Sequence, residues 1–229
     1  MILREVGMIA ADTSRTLCYL KELIKNNLYP NFIILLLNQG KDILPGQSEI
    51  PLNDELFLLL DNENLNYEIA LNSDINSINV IEMISNRTES VFIFSGFGGV
   101  ILKNPILEIG VSFLHVHGGY LPDFKGSTTN YYSLIIENKL GASSIFLSNK
   151  LDSGSILVRR KFRAPKDRTQ IDHIHDSKVR AKVLIETLLE YCKSGKWIFD
   201  PENNLNGQTY YIIHPVLKHI AILGNKVTP

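Results

Sequence analysis

The chain reads as a three-layer α/β protein on a mostly parallel sheet. Two observations predict this. Short apolar runs alternate with segments of helical periodicity, and two of those runs, Phe32–Leu37 and Val91–Phe94, are apolar without a break. A strand half exposed to water alternates, whereas a strand covered by helices on both faces does not. At 229 residues, 45% hydrophobic and 21% charged, the chain can bury one substantial core.

The elements follow in order. Val6–Ala10 is a strand, and Thr16–Ile24 a helix with Leu17, Leu20, Leu23 and Ile24 on one stripe. Asn26 to Pro30 closes it, since a residue before proline disfavours helical backbone. Phe32–Leu37 is the second strand. From Asn38 to about Asn79 the pattern weakens, with a helix around Asp54 to Leu60 and otherwise irregular surface. Ile78–Ser85 fits strand or helix equally. Val91–Phe94 and Gly110–Val116 are further buried strands. Thr128–Asn138 is a helix capped by Ser127, Gly141–Ser148 and Ile156–Phe162 are paired strands, and Thr169–Lys193 is the longest helix. Thr209–Leu223, apolar and aromatic, packs back on the core. One domain over residues 1–199 with an extension over 200–229 is the expected organisation.

Composition narrows the function. Net charge is −1, from 23 Lys+Arg against 24 Asp+Glu, so there is no basic field for nucleic acid. Cys18 and Cys192 are the only two cysteines, without CxxC spacing, and are expected as buried small hydrophobes. No apolar run approaches a membrane span, and the first residues lack a signal-peptide core. A cytoplasmic protein without membrane or nucleic-acid partners is expected.

The chemistry concentrates in one segment. Leu114-His115-Val116-His117-Gly118-Gly119-Tyr120-Leu121-Pro122 ends a strand, and Leu151-Asp152-Ser153-Gly154-Ser155-Ile156-Leu157 follows one helix and one strand later. Imidazole titrates near neutrality, so His117 can take and return a proton, and a nearby Asp would favour its charged form. His115 lies two residues earlier, on the same strand face. It can donate to a developing oxyanion, or join His117 and Asp152 as a metal ligand. Ser95-Gly96-Phe97-Gly98-Gly99 ends a buried strand, where glycines let a flat ligand approach the backbone. Ser14 and Arg15, at the start of the first helix, can hold a phosphate or simply cap a turn. Lys125 and Thr128 lie beside the histidine loop, where they can read an acceptor.

The histidine segment and the Asp-x-Gly turn together resemble the signature of the formyltetrahydrofolate-dependent formyltransferases, usually Asn-x-His-Pro-Ser-Leu-Leu-Pro followed by Asp-x-Gly. Here His115 stands where the family has Asn, and Gly118-Gly119 where it has Pro-Ser. The likeness spans roughly residues 5 to 162. It extends loosely to Gln208–Tyr211 and His214-Pro215, an ending similar to small sugar N-formyltransferases. It implies a Rossmann-like formyltransferase fold with a short C-terminal tail and N10-formyltetrahydrofolate as co-substrate. Its pterin would be received by Phe97, Gly98, Gly99, Val100 and Ile101, with Asn149 and Lys150 placed beside the same ligand. By the same resemblance, His117 carries the proton, Asp152 orients and charges it, and His115 serves as oxyanion donor. The expected acceptor is the primary amine of a nucleotide-linked amino sugar, of the kind used in surface polysaccharide or pseudaminic-acid-type pathways, with no resident metal and a homodimer left open. A metal-dependent hydrolase and a phosphoribosyl-glycinamide formyltransferase are the alternatives. The stretch from Asn38 to Asn76 is a candidate for specificity.

Overall fold

The computed structural model describes residues 1–37, 52–201, 204 and 206–224. The chain falls into two compact units, Met1–Leu114 and His115–Pro229, and the boundary lies inside a strand. In the first unit β1 (Ile2–Leu3) precedes β2 (Val6–Ala11), α1 (Ser14–Lys25), β3 (Tyr29–Pro30) and β4 (Ile33–Leu36). Then come α2 (Leu52–Asn62), β5 (Tyr67–Ile69), α3 (Ile78–Ser85), β6 (Val91–Ser95) and α4 (Asn104–Leu107). The strand β7 (Ser112–His117) begins in this unit and ends in the next.

The order β7-β6-β2-β4-β5 is parallel throughout, in register at Met8↔Ile33, Met8↔Ile93 and Ile93↔Leu114. Every residue of β2, β4 and β6 is buried, as continuous apolar runs require. Helix α1 turns Leu17, Leu20 and Leu23 inward, and the Thr13 side chain caps it by accepting from the Thr16 N–H. Each such fully buried Leu contributes about 1.5–3 kcal/mol.

The second unit holds the end of β7, β8 (Phe124–Gly126), α5 (Thr129–Glu137), β9 (Lys139–Phe146) and β10 (Ile156–Arg163). A π-helical turn over Ile171–His175 leads into α6 (Asp176–Ser194), followed by β11 (Gln208–Tyr210) and α7 (Pro215–Leu223). β9 and β10 are antiparallel, and β11 pairs in parallel with β8. Leu121, Ile145 and Ile156 form a core that Leu147 covers.

The expected α/β class with a mostly parallel sheet is the one found, with differences in detail. The segment Asp61–Asn79, expected to be irregular, contains β5 as an edge strand. Ile78–Ser85 is a helix, fixed by Ser77 accepting from the Val80 N–H. The N-cap of α5 is Thr128, at φ 51°, not Ser127. The helix expected over Thr169–Lys193 starts instead as the π turn. Cys18 and Cys192 are half-buried rather than buried. Residues 38–51 of the candidate specificity stretch lie outside the described residues.

Candidate active site

His117 closes β7 and is 4% exposed. Its Nε2 lies 2.7 Å from the Phe124 carbonyl oxygen. A carbonyl only accepts, so this nitrogen carries the hydrogen. In the neutral ring Nδ1 then presents a lone pair, and it faces Asp152 Oδ1 at 3.4 Å. That separation exceeds the about 2.7–2.9 Å of a charge-assisted hydrogen bond. Burial pushes the imidazole below its ordinary value of 6.5; Asp152 opposes this and the Arg180 cation reinforces it. The buried ring is held neutral against a carboxylate.

The glycines that follow leave room for close neighbours. A Cβ at Gly119 would stand 2.5 Å from the Phe124 carbonyl oxygen and 2.7 Å from His117 Nε2. One at Gly118 would stand 2.5 Å from both Arg180 Nη2 and Asp176 Oδ1. The Thr129 hydroxyl donates to the Gly118 carbonyl, which pins the turn to the start of α5.

Asp152 is 8% exposed and adopts φ 46°, a left-handed conformation that costs a non-glycine residue energy. Its surroundings hold it there. The Gly126 N–H donates to Oδ2 at 2.8 Å. The Asn204 amide donates to the Asp152 and Gly154 carbonyls, each at 2.8 Å. Lys125, 3% exposed, donates to the Asn204 carbonyl oxygen and to Ser153 Oγ. Burial lowers its affinity for a proton while Asp152 raises it. Gly154 must be glycine, because a Cβ there would fall 1.6 Å from the Phe146 carbonyl oxygen.

The structure thus brings His117 and Asp152 together within the second unit. His115, half-buried, is placed by strand alternation on the same face of β7. Lys125 sits inside, beneath the Asp152 turn. The Thr128 hydroxyl accepts from the Ile213 N–H at 2.9 Å. Asn149 and Lys150 are exposed on the loop that precedes Asp152. Among the described residues no group of three or more His, Cys, Asp and Glu side chains could hold a metal ion, so His115, His117 and Asp152 do not form a ligand set.

The remaining residues lie in the first unit. Ser14 is exposed at the start of α1. Arg15 donates from Nη2 to the Gly96 carbonyl and from Nε to Ser95 Oγ at 3.5 Å, tying the loop after β2 to the loop after β6. Beyond half-buried Phe97, residues Gly98, Gly99, Val100 and Ile101 are exposed. Gly99 has φ 78°, and a Cβ at Gly98 or Gly99 would meet nothing within 4 Å. The Asn76 side chain steadies the loop, donating to the Ile101 carbonyl at 3.0 Å and accepting from the Lys103 N–H at 2.7 Å. Open backbone beside apolar side chains fits a flat heteroaromatic group.

Two groups escape sequence reasoning. Asn204 lies in a polar stretch with no periodic signal. Asp176 and Arg180 show only an i,i+4 ion pair, which normally marks a solvated helix face.

No protein-family model matches the chain. The chain is 27% identical to the methionyl-tRNA formyltransferase of Ruminiclostridium cellulolyticum over 127 residues, covering 54% of this chain and 40% of that protein. It is 27% identical to the Campylobacter lari enzyme over 177 residues, covering 77% and 56%. The chain spans about half the length of these curated relatives. Among solved structures, a sugar N-formyltransferase from a Shewanella species matches with TM-score 0.60 and 13% identity, over 96% of this chain and 87% of that one. The Helicobacter canadensis N-formyltransferase, solved with folinic acid and dTDP-3-aminofucose, matches with TM-score 0.58 and 16% identity, over 92% and 71%. Glycinamide ribonucleotide transformylases share the fold as well. Sequence similarity and fold point the same way: the chain is similar in sequence to methionyl-tRNA formyltransferases and shares its fold with solved formyltransferases.

Proposed function

We propose that this chain transfers a formyl group from N10-formyltetrahydrofolate to the primary amine of a small acceptor, a nucleotide-linked amino sugar. The observation that carries the reading is the buried His117–Asp152 pair at the end of β7. The co-substrate supplies an electrophilic formyl carbon. The acceptor amine adds to it, forming a C–N bond, and the amine proton must leave as the bond to the folate nitrogen breaks. A neutral imidazole beside a carboxylate is suited to that proton, since the charge it gains is stabilised at once by Asp152. In the structure Nε2 is committed to the Phe124 carbonyl. The reading therefore requires that bond, worth about 1 kcal/mol net, to open when substrate arrives and the ring hydrogen to move to Nδ1, where it donates to Asp152 and leaves the Nε2 lone pair for the amine proton. His115 donates to the oxyanion in place of the family's Asn. The loop of half-buried Phe97 and exposed Gly98, Gly99, Val100 and Ile101 receives the pterin.

The acceptor class is supported by two facts. The structural neighbours that share most of their length with this chain include a sugar N-formyltransferase. A net charge of −1 provides no field for tRNA. The test is to incubate the protein with N10-formyltetrahydrofolate and, in turn, amino-sugar nucleotides, glycinamide ribonucleotide and methionyl-tRNA. A mass gain of one formyl group on an amino-sugar nucleotide, with release of tetrahydrofolate, is expected. Formylation of either other acceptor instead would refute the acceptor assignment, and formylation of none would refute the activity.

A further inference from the structure

We propose that Arg180 is a positioning residue for His117, and that residue 118 is glycine so that the Arg180 guanidinium can lie against the backbone on both sides of that histidine. The proposal rests on the formyl-transfer reading for what His117 does, though not for the contact itself.

The geometry is specific. Arg180 Nη1 donates to the carbonyl of Val116, the residue before His117, at 3.0 Å. On the other side, a Cβ at Gly118 would stand 2.5 Å from Arg180 Nη2 and 2.9 Å from its Cζ. The guanidinium fills the space that a side chain at 118 would need. The family's usual proline at this position and Arg180 as placed here exclude each other.

The cation is itself held. Arg180 Nε lies 2.7 Å from Asp176 Oδ2, with the two side chains only 17% and 20% exposed. The other Asp176 oxygen accepts from Asn130 Nδ2 at 2.8 Å, and Asn130 Oδ1 accepts from the Gly141 N–H at 2.8 Å. A planar fork bonded along this line from α6 through α5 to β9 has few alternative rotamers. It fixes the end of β7 and places a permanent positive charge near a buried imidazole. Asp152 on the turn after β9 and Asp176 on α6 favour the charged ring, while Arg180 favours the neutral one. The Phe124 carbonyl on β8 accepts from Nε2, and Lys125 beside it directs its ammonium to Asn204 and Ser153. Arg180 is thus the cation among these groups whose field keeps the ring able to accept a proton.

Two measurements decide the matter without requiring turnover. In a histidine-selective NMR titration of isotope-labelled protein, Arg180→Gln should move the His117 titration to higher pH, and Arg180→Lys should leave it near wild type. In urea unfolding, Gly118→Ala should cost clearly less stability in an Arg180→Ala background than in wild type, because the clash is partly relieved. Given an acceptor, Arg180→Gln should lower kcat/KM on the order of 10-fold, with partial rescue by Arg180→Lys. An unchanged His117 titration in Arg180→Gln overturns the proposal, as does an equal cost of Gly118→Ala in both backgrounds. If the wild type formylates nothing, the functional reading falls while titration and unfolding still judge the contact. If Arg180→Gln does not fold, the Gly118→Ala cycle and Arg180→Lys remain decisive.

Discussion

At the scale of single residues, the site is a contest between burial and charge. His117 is almost sealed, and burial is the largest influence on its ring, with Asp152 only partly offsetting it. The folded state therefore binds this proton more weakly than the unfolded chain does. As pH falls below the ordinary imidazole value of 6.5, the unfolded chain takes up the proton first, so stability declines. Urea midpoints from pH 7.5 downward should fall further for wild type than for His117→Gln; parallel curves would contradict the burial argument. For catalysis, His117→Ala and Asp152→Ala should each reduce kcat/KM on the order of 10²- to 10⁴-fold, with circular dichroism unchanged. Wild-type turnover in either variant removes the proton-carrier assignment. His115→Asn should keep substantial activity, because an amide can donate to an oxyanion as a ring N–H does. Equal losses in His115→Asn and His115→Ala would rule that role out.

At the scale of elements, what was legible depended on how strongly burial marks sequence. β2, β4 and β6 were readable because strands covered on both faces are continuously apolar. β5 was not, because Tyr67-Glu68-Ile69 is a short edge strand open to solvent. The π turn before α6 hid inside a helical pattern, since one widened turn barely shifts the apolar stripe. His117 and Asp152 were legible through a motif and its spacing. Arg180 and Asn204 were not, because their roles depend on tertiary placement that no local pattern encodes. That dependence can be measured. Asn204→Ala removes donors to two carbonyls of the Asp152 turn and should cost about 1–3 kcal/mol. Because the turn carries Asp152, kcat/KM should drop with it. Gly154→Ala, which forces a Cβ into the Phe146 carbonyl, should cost more than about 2 kcal/mol in urea unfolding. An unchanged midpoint in either variant would show that the turn is held by something else.

At the scale of the whole molecule, charge and chain order set the limits. With 23 cationic and 24 anionic side chains, the protein should fail to retard tRNA in a native gel at physiological salt, and a clear shift at micromolar protein would reopen the tRNA acceptor. Among the described residues no helix is long and apolar enough to cross a membrane. The Asp152 turn depends on a side chain fifty-two positions further along, which reaches it from beyond α6. During synthesis the histidine therefore emerges long before the asparagine that steadies its partner's loop. A nascent chain stalled anywhere short of residue 204 lacks those two donors, so on the proposed function its Asp152 turn should gain its full support only late in translation.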